Sequence, residues 1–184
     1  MIGRLAIAAA CAAVALTLGG CNWGGRDYRK VRVPSASMEP TVSIGQRIDV
    51  DEAAYHHAEP KRGDVVVFHP SVGVDSGKCG VRHRADSACP AAVPRQSSAV
   101  FIKRIVALPG DRLKIVGNRT YIDGVLRPEG SIRTRPCSDL CNLKREIVIP
   151  PGTYFTLGDN RGQSDDSRVF GPIRRAWIVG KARL

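Results

Sequence analysis

The chain begins with an uncharged, mostly apolar run and then changes to short apolar segments separated by turn residues. The run follows Arg4 and extends from residue 5 to residue 20. As a helix it would span about 24 Å, which is less than the apolar core of a bilayer, about 30 Å. Residues 21–25 are also uncharged, and their addition gives enough length to cross. We therefore predict an apolar membrane-targeting helix within residues 1–25.

This N-terminal segment has two interpretations. It is either an export signal with a positively charged start and an apolar centre, or an uncleaved anchor with a single span. The sequence Leu-Gly-Gly-Cys that ends at Cys21 is similar to a bacterial lipoprotein cleavage box, so Cys21 is a candidate for lipidation. Both interpretations place the chain from residue 26 onward outside the cytoplasm and beside the membrane.

After this segment, short apolar runs alternate with Gly, Pro, Asn and Asp, a pattern that is typical of an all-β domain. The segment 71–98 is rich in Ser, Gly and Pro, and we expect it to be a long surface loop. The predicted strands are residues 44–50, 65–68, 99–107, 113–116, 119–122, 147–149, 153–157 and 173–179.

The strands divide into a main part and an insertion. We predict an antiparallel main β domain from residues 26–110 and 150–184, with a smaller β lobe inserted over residues 111–149. The length of 184 residues is enough for such a pair. The formal net charge of +11 favours an anionic partner, either nucleic acid or an anionic membrane surface, without choosing between them.

Cysteine positions agree with an oxidising compartment. Of six cysteines, four lie beyond the N-terminal segment in two close pairs, Cys79 with Cys89 and Cys137 with Cys141. We predict a local disulfide in each pair, because both lie in loop-like segments. A zinc site is the alternative, but zinc ligands within a pair usually have about two to four residues between them. The second pair fits that spacing and the first does not.

A catalytic serine needs a base, and histidine is the usual one. None of the histidines lies in a recognisable catalytic motif, and each is expected at the surface. A lysine can serve instead if burial keeps it neutral, against a reference pKa of about 10.4. The four histidines are His56, His57, His69 and His83.

One serine and one lysine are candidates for this chemistry. Ser37 lies in a small-residue turn between two prolines, within residues 34–41. Lys103 shares a strand face with Phe101 and Ile105, which would remove it from water. The neighbouring Arg104 is unsuitable, because a guanidinium does not release its proton. Taken separately, each candidate also fits an ordinary structural role, as a proline-serine turn or as a lysine on an edge strand.

Four sequence blocks together resemble bacterial type I signal peptidase, or leader peptidase. They are residues 34–41, 62–68, 102–111 and 158–171, in this order. The resemblance implies a membrane-associated serine endopeptidase that cleaves N-terminal signal peptides from exported preproteins after small residues at −1 and −3. It implies no metal and no cofactor. Gly162 stands where the family more often has a polar residue, which predicts a looser loop.

The resemblance also implies roles for individual residues. Ser37 corresponds to the nucleophile and Lys103 to the general base. Ser35 corresponds to a hydroxyl of the oxyanion hole, and Ser164 to a residue that positions the lysine.

Two charge pairs are expected to brace this site, Asp159 with Arg104 and Asp166 with Arg168. Pockets for the small substrate side chains are expected at Val33, Met38, Val42, Phe101 and Ile102.

The expected partners are preprotein signal peptides and membrane lipids, with no nucleic acid, and a monomer is expected. The expected location is the bacterial inner membrane, with the catalytic domain on the periplasmic side. Two alternatives remain: a specialised pilin-maturing peptidase of a conjugation system, and a non-enzymatic envelope lipoprotein that binds a partner through its β surface. The lipoprotein alternative predicts that Ser37 and Lys103 lie far apart.

Overall fold

The computed structural model describes residues 28–137 and 139–184. The predicted N-terminal helix and Cys21 lie outside the described residues. Within the described ranges, no helix combines the length and the apolar character that a bilayer crossing requires.

The described chain is mostly β-structure, as the sequence predicts. One short α-helix, α1, covers Ser167–Phe170, and short 3-10 turns connect several strands. The strands are β1 (Tyr28–Arg32), β2 (Arg47–Asp51), β3 (Val65–Phe68), β4 (Phe101–Ala107), β5 (Arg112–Val116), β6 (Arg119–Ile122), β7 (Val125–Leu126), β8 (Leu143–Val148), β9 (Thr153–Leu157), β10 (Ile173–Arg174) and β11 (Ile178–Arg183).

These strands form two antiparallel sheets. The larger sheet has seven strands in the order β1-β2-β11-β3-β4-β9-β10, and the smaller has four in the order β7-β6-β5-β8. The smaller sheet comes from residues 112–148, between β4 and β9 in the chain. Its strands therefore fall in the segment for which a smaller lobe was expected, while the boundaries between domains stay a prediction.

Turns shorten or interrupt two of the predicted strands. The strand predicted from residue 44 begins only at Arg47, because Gly45 adopts a left-handed φ of 81° in a turn. The strand predicted over 173–179 is broken by a 3-10 turn at Arg175–Trp177. There Arg175 turns aside and donates hydrogen bonds to Glu59 and to the carbonyl of Tyr55.

β4 has a central position in the larger sheet, between β3 and β9. Ile102 packs on one face with Val65 and Val67, beneath the turn that carries Met38. Ile105 packs on the opposite face. Burial of both faces fixes the backbone of β4, so a side chain on this strand has a defined position.

The segment predicted as a surface loop, residues 71–98, is partly buried. The backbone N–H of Cys89 donates to the carbonyl of Arg168, 3.0 Å away, within α1. The N–H of Arg145, in β8, donates to the carbonyl of Asp86 at 2.9 Å. The loop therefore connects α1 to the smaller sheet.

Candidate active site

Ser37 and Lys103 meet beside β4, a central strand of the larger sheet. Ser37 lies in the 3-10 turn Ala36–Met38, and Lys103 lies in β4 opposite Val66 of β3. Lys103 Nζ donates to Ser37 Oγ at 2.7 Å. Both residues are buried, with 4% of Lys103 and 8% of Ser37 exposed. The large separation that the lipoprotein alternative predicts is therefore wrong.

Burial controls the charge of the lysine. Desolvation lowers the pKa of Lys103 from 10.5 to about 8, and the carboxylates of Asp166 and Asp165 act in the opposite direction. With this value, about a tenth of the amines are neutral at pH 7. A neutral amine at the same distance can accept the hydroxyl proton of Ser37, so the pair has the geometry of a nucleophile and its base.

The hydroxyl of Ser35 is the second neighbour of the Ser37 side chain. Ser35 Oγ donates to Ser37 Oγ at 3.1 Å, and Ser35 is exposed at the open side of the site. A donor beside the nucleophile lies where a developing oxyanion would need one.

The chain after β9 holds the nucleophile turn in place. The backbone N–H of Asn160 donates to the carbonyl of Ser37 at 3.0 Å. A Cβ added to Gly158 would lie 2.5 Å from that same carbonyl oxygen, so a larger residue would displace the turn. Glycine at this position permits the close approach of the two segments.

Arg104 points away from the dyad and pairs with Asp159. Its guanidinium donates to both carboxylate oxygens, at 2.8 Å and 2.6 Å, and to the carbonyl of Gly63 at 2.7 Å. Asp159 is fully buried and also accepts from Thr41, four residues after Ser37. The pair therefore joins β4 to both segments that carry the site.

A second ion pair lies under the loop that follows Gly158. Arg168 donates to the two oxygens of Asp166 at 2.8 Å and 2.9 Å. It also donates to the carbonyl of Arg161 at 2.7 Å and to Asn118 Oδ1 at 3.1 Å. Burial alone would raise the pKa of Asp166, but Arg168 and the N–H of Gly158 outweigh it and lower the pKa.

The hydrogen bonding of Ser164 does not match the role expected for it. Its Oγ is buried and has no hydrogen-bond partner among the described residues, so it makes no hydrogen bond to Lys103. The oxygen instead packs against Gly158, where an added Cβ would overlap it. This structure therefore contains no hydrogen bond through which Ser164 would position the lysine.

A cavity of about 290 Å³ opens beside the dyad. Four of the five expected pocket residues line it, but Val42 does not, because it is fully buried in the core behind Met38. Asp165 adds an exposed carboxylate to the cavity. The lining residues are Val33, Pro34, Ser35, Ser37, Met38, Val100, Phe101, Ile102, Lys103, Gln163 and Asp165.

The connection between β7 and β8 contributes contacts that the sequence did not indicate. The N–H of Arg133 donates to the carbonyl of Asp159 at 2.8 Å, and its side chain pairs with Glu39 at 2.7 Å, two residues after Ser37. Glu129 pairs with the buried Arg161. Neither Glu129 nor Arg133 lies in a motif or in a strand pattern, so the sequence carried no local signal for them.

Gly162 does not loosen its loop. A Cβ at this position would overlap the carbonyl of Pro136, so the glycine permits tight packing.

Cys137 and Cys141 form a disulfide immediately after Pro136, and Cys79 and Cys89 form another in the 71–98 loop. A four-thiolate zinc site is incompatible with these two bonds.

The histidines lie away from this chemistry. His56, His57 and His83 are exposed, and His69 is partly buried with Nδ1 2.8 Å from the carbonyl oxygen of Ala99. Across the described residues, the side-chain partners of Ser37 Oγ are Ser35 and Lys103.

Known proteins resemble this chain over most of its length. The family described as signal peptidase, peptidase S26, matches residues 5–184. Probable signal peptidase I-2 of Synechocystis sp. is 33% identical over 150 residues, covering 82% of this chain and 59% of the relative. Signal peptidase I of Leptolyngbya laminosa is also 33% identical, with 82% and 64% covered. The chain therefore spans about six-tenths of the length of these two relatives.

Two further matches are more distant in sequence. Signal peptidase IB of Staphylococcus aureus is 29% identical over 163 residues, covering 81% of this chain and 72% of the relative. A crystal structure of a signal peptidase I from Enterococcus faecalis has a TM-score of 0.44 and 27% identity, covering 67% of this chain and 97% of that one.

Proposed function

Because the chain belongs to the signal peptidase family, peptidase S26, we propose that it is a membrane-associated serine endopeptidase that cleaves N-terminal signal peptides from exported preproteins. The observation that carries this proposal is the buried contact of 2.7 Å between Lys103 Nζ and Ser37 Oγ. The lowered pKa of Lys103 supports it, because an ammonium could not accept a proton.

In the proposed reaction, neutral Lys103 removes the proton of Ser37 as Oγ attacks the scissile carbonyl carbon. The Ser35 hydroxyl and the Ser37 backbone N–H donate to the resulting oxyanion, and loss of one such donor typically costs about 2.7–4 kcal/mol. When the peptide bond breaks, the Lys103 ammonium returns its proton to the leaving amine. The same lysine then activates the water that hydrolyses the acyl-enzyme.

The two ion pairs hold this arrangement without touching the reacting atoms. Arg104 and Asp159 tie the nucleophile turn to β4 through Thr41. Asp166 and Arg168 fix the loop that packs against the carbonyl of Ser37. We propose positioning roles for all four residues.

The cavity beside the dyad supports selection of small side chains. Its walls are mainly apolar, from Val33, Met38, Phe101 and Ile102, and these side chains belong to packed core or sheet elements. Rigid apolar walls exclude side chains that are too large to fit. We propose that they accept the substrate residues at −1 and −3.

The proposed location is the outer side of the bacterial inner membrane, with residues 1–25 as tether. The 16 positions between Cys21 and Ser37 can extend at most about 53–58 Å, which keeps the site near the emerging signal peptide. The disulfides fit an oxidising compartment. The formal net charge of +11 would favour contact with anionic lipid.

The test is cleavage of a preprotein with Ala at −1 and −3 by the full chain in lipid vesicles. The product should begin at the residue after −1, as read by mass spectrometry. Phe at −1 should lower kcat/KM by at least about 100-fold, because the packed side chains that form the cavity walls cannot move aside to admit a large ring. Phe at −2 is the matched control and should change kcat/KM by less than about threefold. In an extended peptide the −2 side chain points to the side opposite the −1 and −3 side chains, and so away from the cavity.

Absence of cleavage of the Ala substrate would refute the proposed function. Equal cleavage of the −1 Phe and −1 Ala substrates would refute the assignment of the cavity.

A further inference from the structure

One residue of the connection between β7 and β8 reaches the nucleophile turn, Ala36–Met38, by two separate routes. This residue is Arg133, whose backbone forms an isolated parallel β-bridge with Asn160. Its N–H donates to the carbonyl of Asp159 at 2.8 Å, and its carbonyl accepts from the N–H of Arg161 at 2.9 Å. The first route therefore starts as a backbone connection to the loop after β9.

Asn160 extends this first route to the nucleophile turn. Its backbone N–H donates to the carbonyl of Ser37 at 3.0 Å, and its side-chain Nδ2 donates to the carbonyl of Ala36 at 3.2 Å. Asn160 is buried, so both hydrogen bonds are shielded from water. Two adjacent carbonyls of the turn are thus held by one residue, which Arg133 holds in turn.

The second route runs through the side chain of Arg133. Its guanidinium donates to Glu39 Oε2 at 2.7 Å. The backbone N–H of Glu39 closes the turn that carries Ser37, because it donates to the carbonyl of Ala36 at 3.1 Å. The side chain of Arg133 therefore holds the chain just after Ser37, while Asn160 holds it at Ser37 and just before.

The backbone from which the guanidinium extends is itself fixed. Asn118, a buried residue between β5 and β6, donates through Nδ2 to the carbonyl of Thr134 at 2.7 Å. The carbonyl oxygen of Pro136 occupies the place where a Cβ on Gly162 would lie. These two contacts limit the movement of the segment that follows Arg133.

We propose that Arg133 is a positioning residue of the active site, whose ion pair with Glu39 holds the Ser37 hydroxyl in place for attack on the scissile carbonyl. This role rests on the proposed peptidase function. A nucleophile that is misplaced by about 1 Å can lose about 100-fold in rate. Because the route through Asn160 remains when only the side chain of Arg133 is changed, the expected loss is smaller, about tenfold.

The position of the ion pair favours an effect on the chemical step. The side chains of Arg133 and Glu39 are 52% and 23% exposed, and exposed pairs contribute little to the stability of a protein. The described residues that line the cavity beside the dyad do not include Arg133 or Glu39, so neither is expected to contact the substrate residues at −1 and −3. Loss of the pair should therefore lower kcat and leave KM and Tm almost unchanged.

The first test is steady-state cleavage of the preprotein with Ala at −1 and −3 by the full chain in lipid vesicles. Arg133→Met and Glu39→Gln should each lower kcat by about tenfold and change KM by less than about twofold. The double variant should lose no more than either single variant, because both substitutions remove the same contact. Arg133→Lys should recover most of the rate, since the pair uses a single donor atom, Nη1.

Arg112→Met is the matched control. It breaks an ion pair of similar exposure, with Glu146, that lies within the smaller sheet, and it should leave kcat unchanged. A higher KM at unchanged kcat would make Arg133 a substrate contact and would overturn the positioning role. Losses that multiply in the double variant, or a kcat in Arg133→Met equal to that of the unchanged chain, would overturn it as well.

The second test does not depend on cleavage. The N–H of Val42 donates to the carbonyl of Met38 at 3.0 Å, just after the nucleophile turn, and its hydrogen exchange can be followed by NMR on the full chain in detergent. Exchange at Val42 and at Asn160 should be about two- to fivefold faster in Arg133→Met than in the unchanged chain, and unaltered in Arg112→Met.

Equal exchange in all three proteins would mean that Arg133 does not hold the turn. If the unchanged chain fails to cleave the preprotein, the proposed function is refuted, and the exchange rates still decide whether the ion pair fixes the backbone around Ser37.

Discussion

Ser37→Ala and Lys103→Ala should each lower kcat/KM for preprotein cleavage by about 10⁴–10⁶-fold, while the protein stays folded. The magnitude is that of removing the nucleophile or base of a serine protease. Ser37→Ala removes the attacking oxygen. Lys103→Ala leaves Ser37 Oγ without a base, since its remaining side-chain partner among the described residues is the hydroxyl of Ser35. The measurement is single-turnover cleavage with each purified variant.

Two further lysine variants separate base chemistry from charge. Lys103→Arg keeps a cation of similar length, but a guanidinium does not release its proton at workable pH, so this variant should be equally inactive. Lys114→Ala removes a lysine from β5 of the smaller sheet and should change kcat/KM by less than about twofold. Substantial cleavage by Lys103→Ala, or by Lys103→Arg, would remove Lys103 from the base role.

Arg168→Met should lower the free energy of unfolding by about 3–5 kcal/mol, because it leaves the Asp166 carboxylate buried without its partner. In a chain of this size, the loss corresponds to a fall in Tm of about 6–20 °C. The loop that follows Gly158 would at the same time lose the ion pair that holds it in place, so kcat should fall as well. Thermal unfolding of the full chain, followed by circular dichroism, measures the change.

Arg112→Met is the matched control for this prediction. Arg112 also donates two hydrogen bonds to a carboxylate, that of Glu146, but the pair is at the surface with 60% and 30% of the side chains exposed. Exposed pairs are worth about 0–1 kcal/mol. Equal losses of stability in the two variants would mean that the buried network is no stronger than a surface pair.

The buried ion pair also predicts the direction of acid sensitivity. Because the folded protein holds the pKa of Asp166 below its ordinary value, the unfolded state binds the proton more readily. This carboxylate stabilises the folded protein fully at a pH above its pKa in the unfolded state. The stabilisation is lost as the pH falls toward its lowered pKa in the folded state.

The local pattern of apolar residues was sufficient to predict the strands that consist of one clear apolar stretch. Val65–Phe68 has the same bounds in the prediction and in the structure, since four apolar residues follow a Gly-Asp turn. β1 was missed because it is an exposed edge strand with three charged residues in five. Only the end of β8 was predicted, since Lys144, Arg145 and Glu146 interrupt its apolar positions.

The candidate dyad depends on long-range pairing that local pattern does not specify. Ser37 and Lys103 are 66 positions apart, and the register Val66↔Lys103 aims the lysine at the turn. The pairing of Ser37 with Lys103 was predicted from the resemblance of the four sequence blocks to type I signal peptidase. The resemblance could not supply the orientation of Ser164 or the contacts of Arg133, because these depend on how the smaller sheet and its loops pack on this chain.

The most direct test of the proposed mechanism is the titration of the Lys103 amine itself. Lysine Nζ resonances of the full chain in detergent can be followed by NMR across pH 6 to 12 after ¹⁵N labelling, with Lys103 assigned by its absence in Lys103→Arg. The account predicts a midpoint at about pH 8. A Lys103 amine that keeps its proton up to the ordinary lysine value of 10.5 would contradict it.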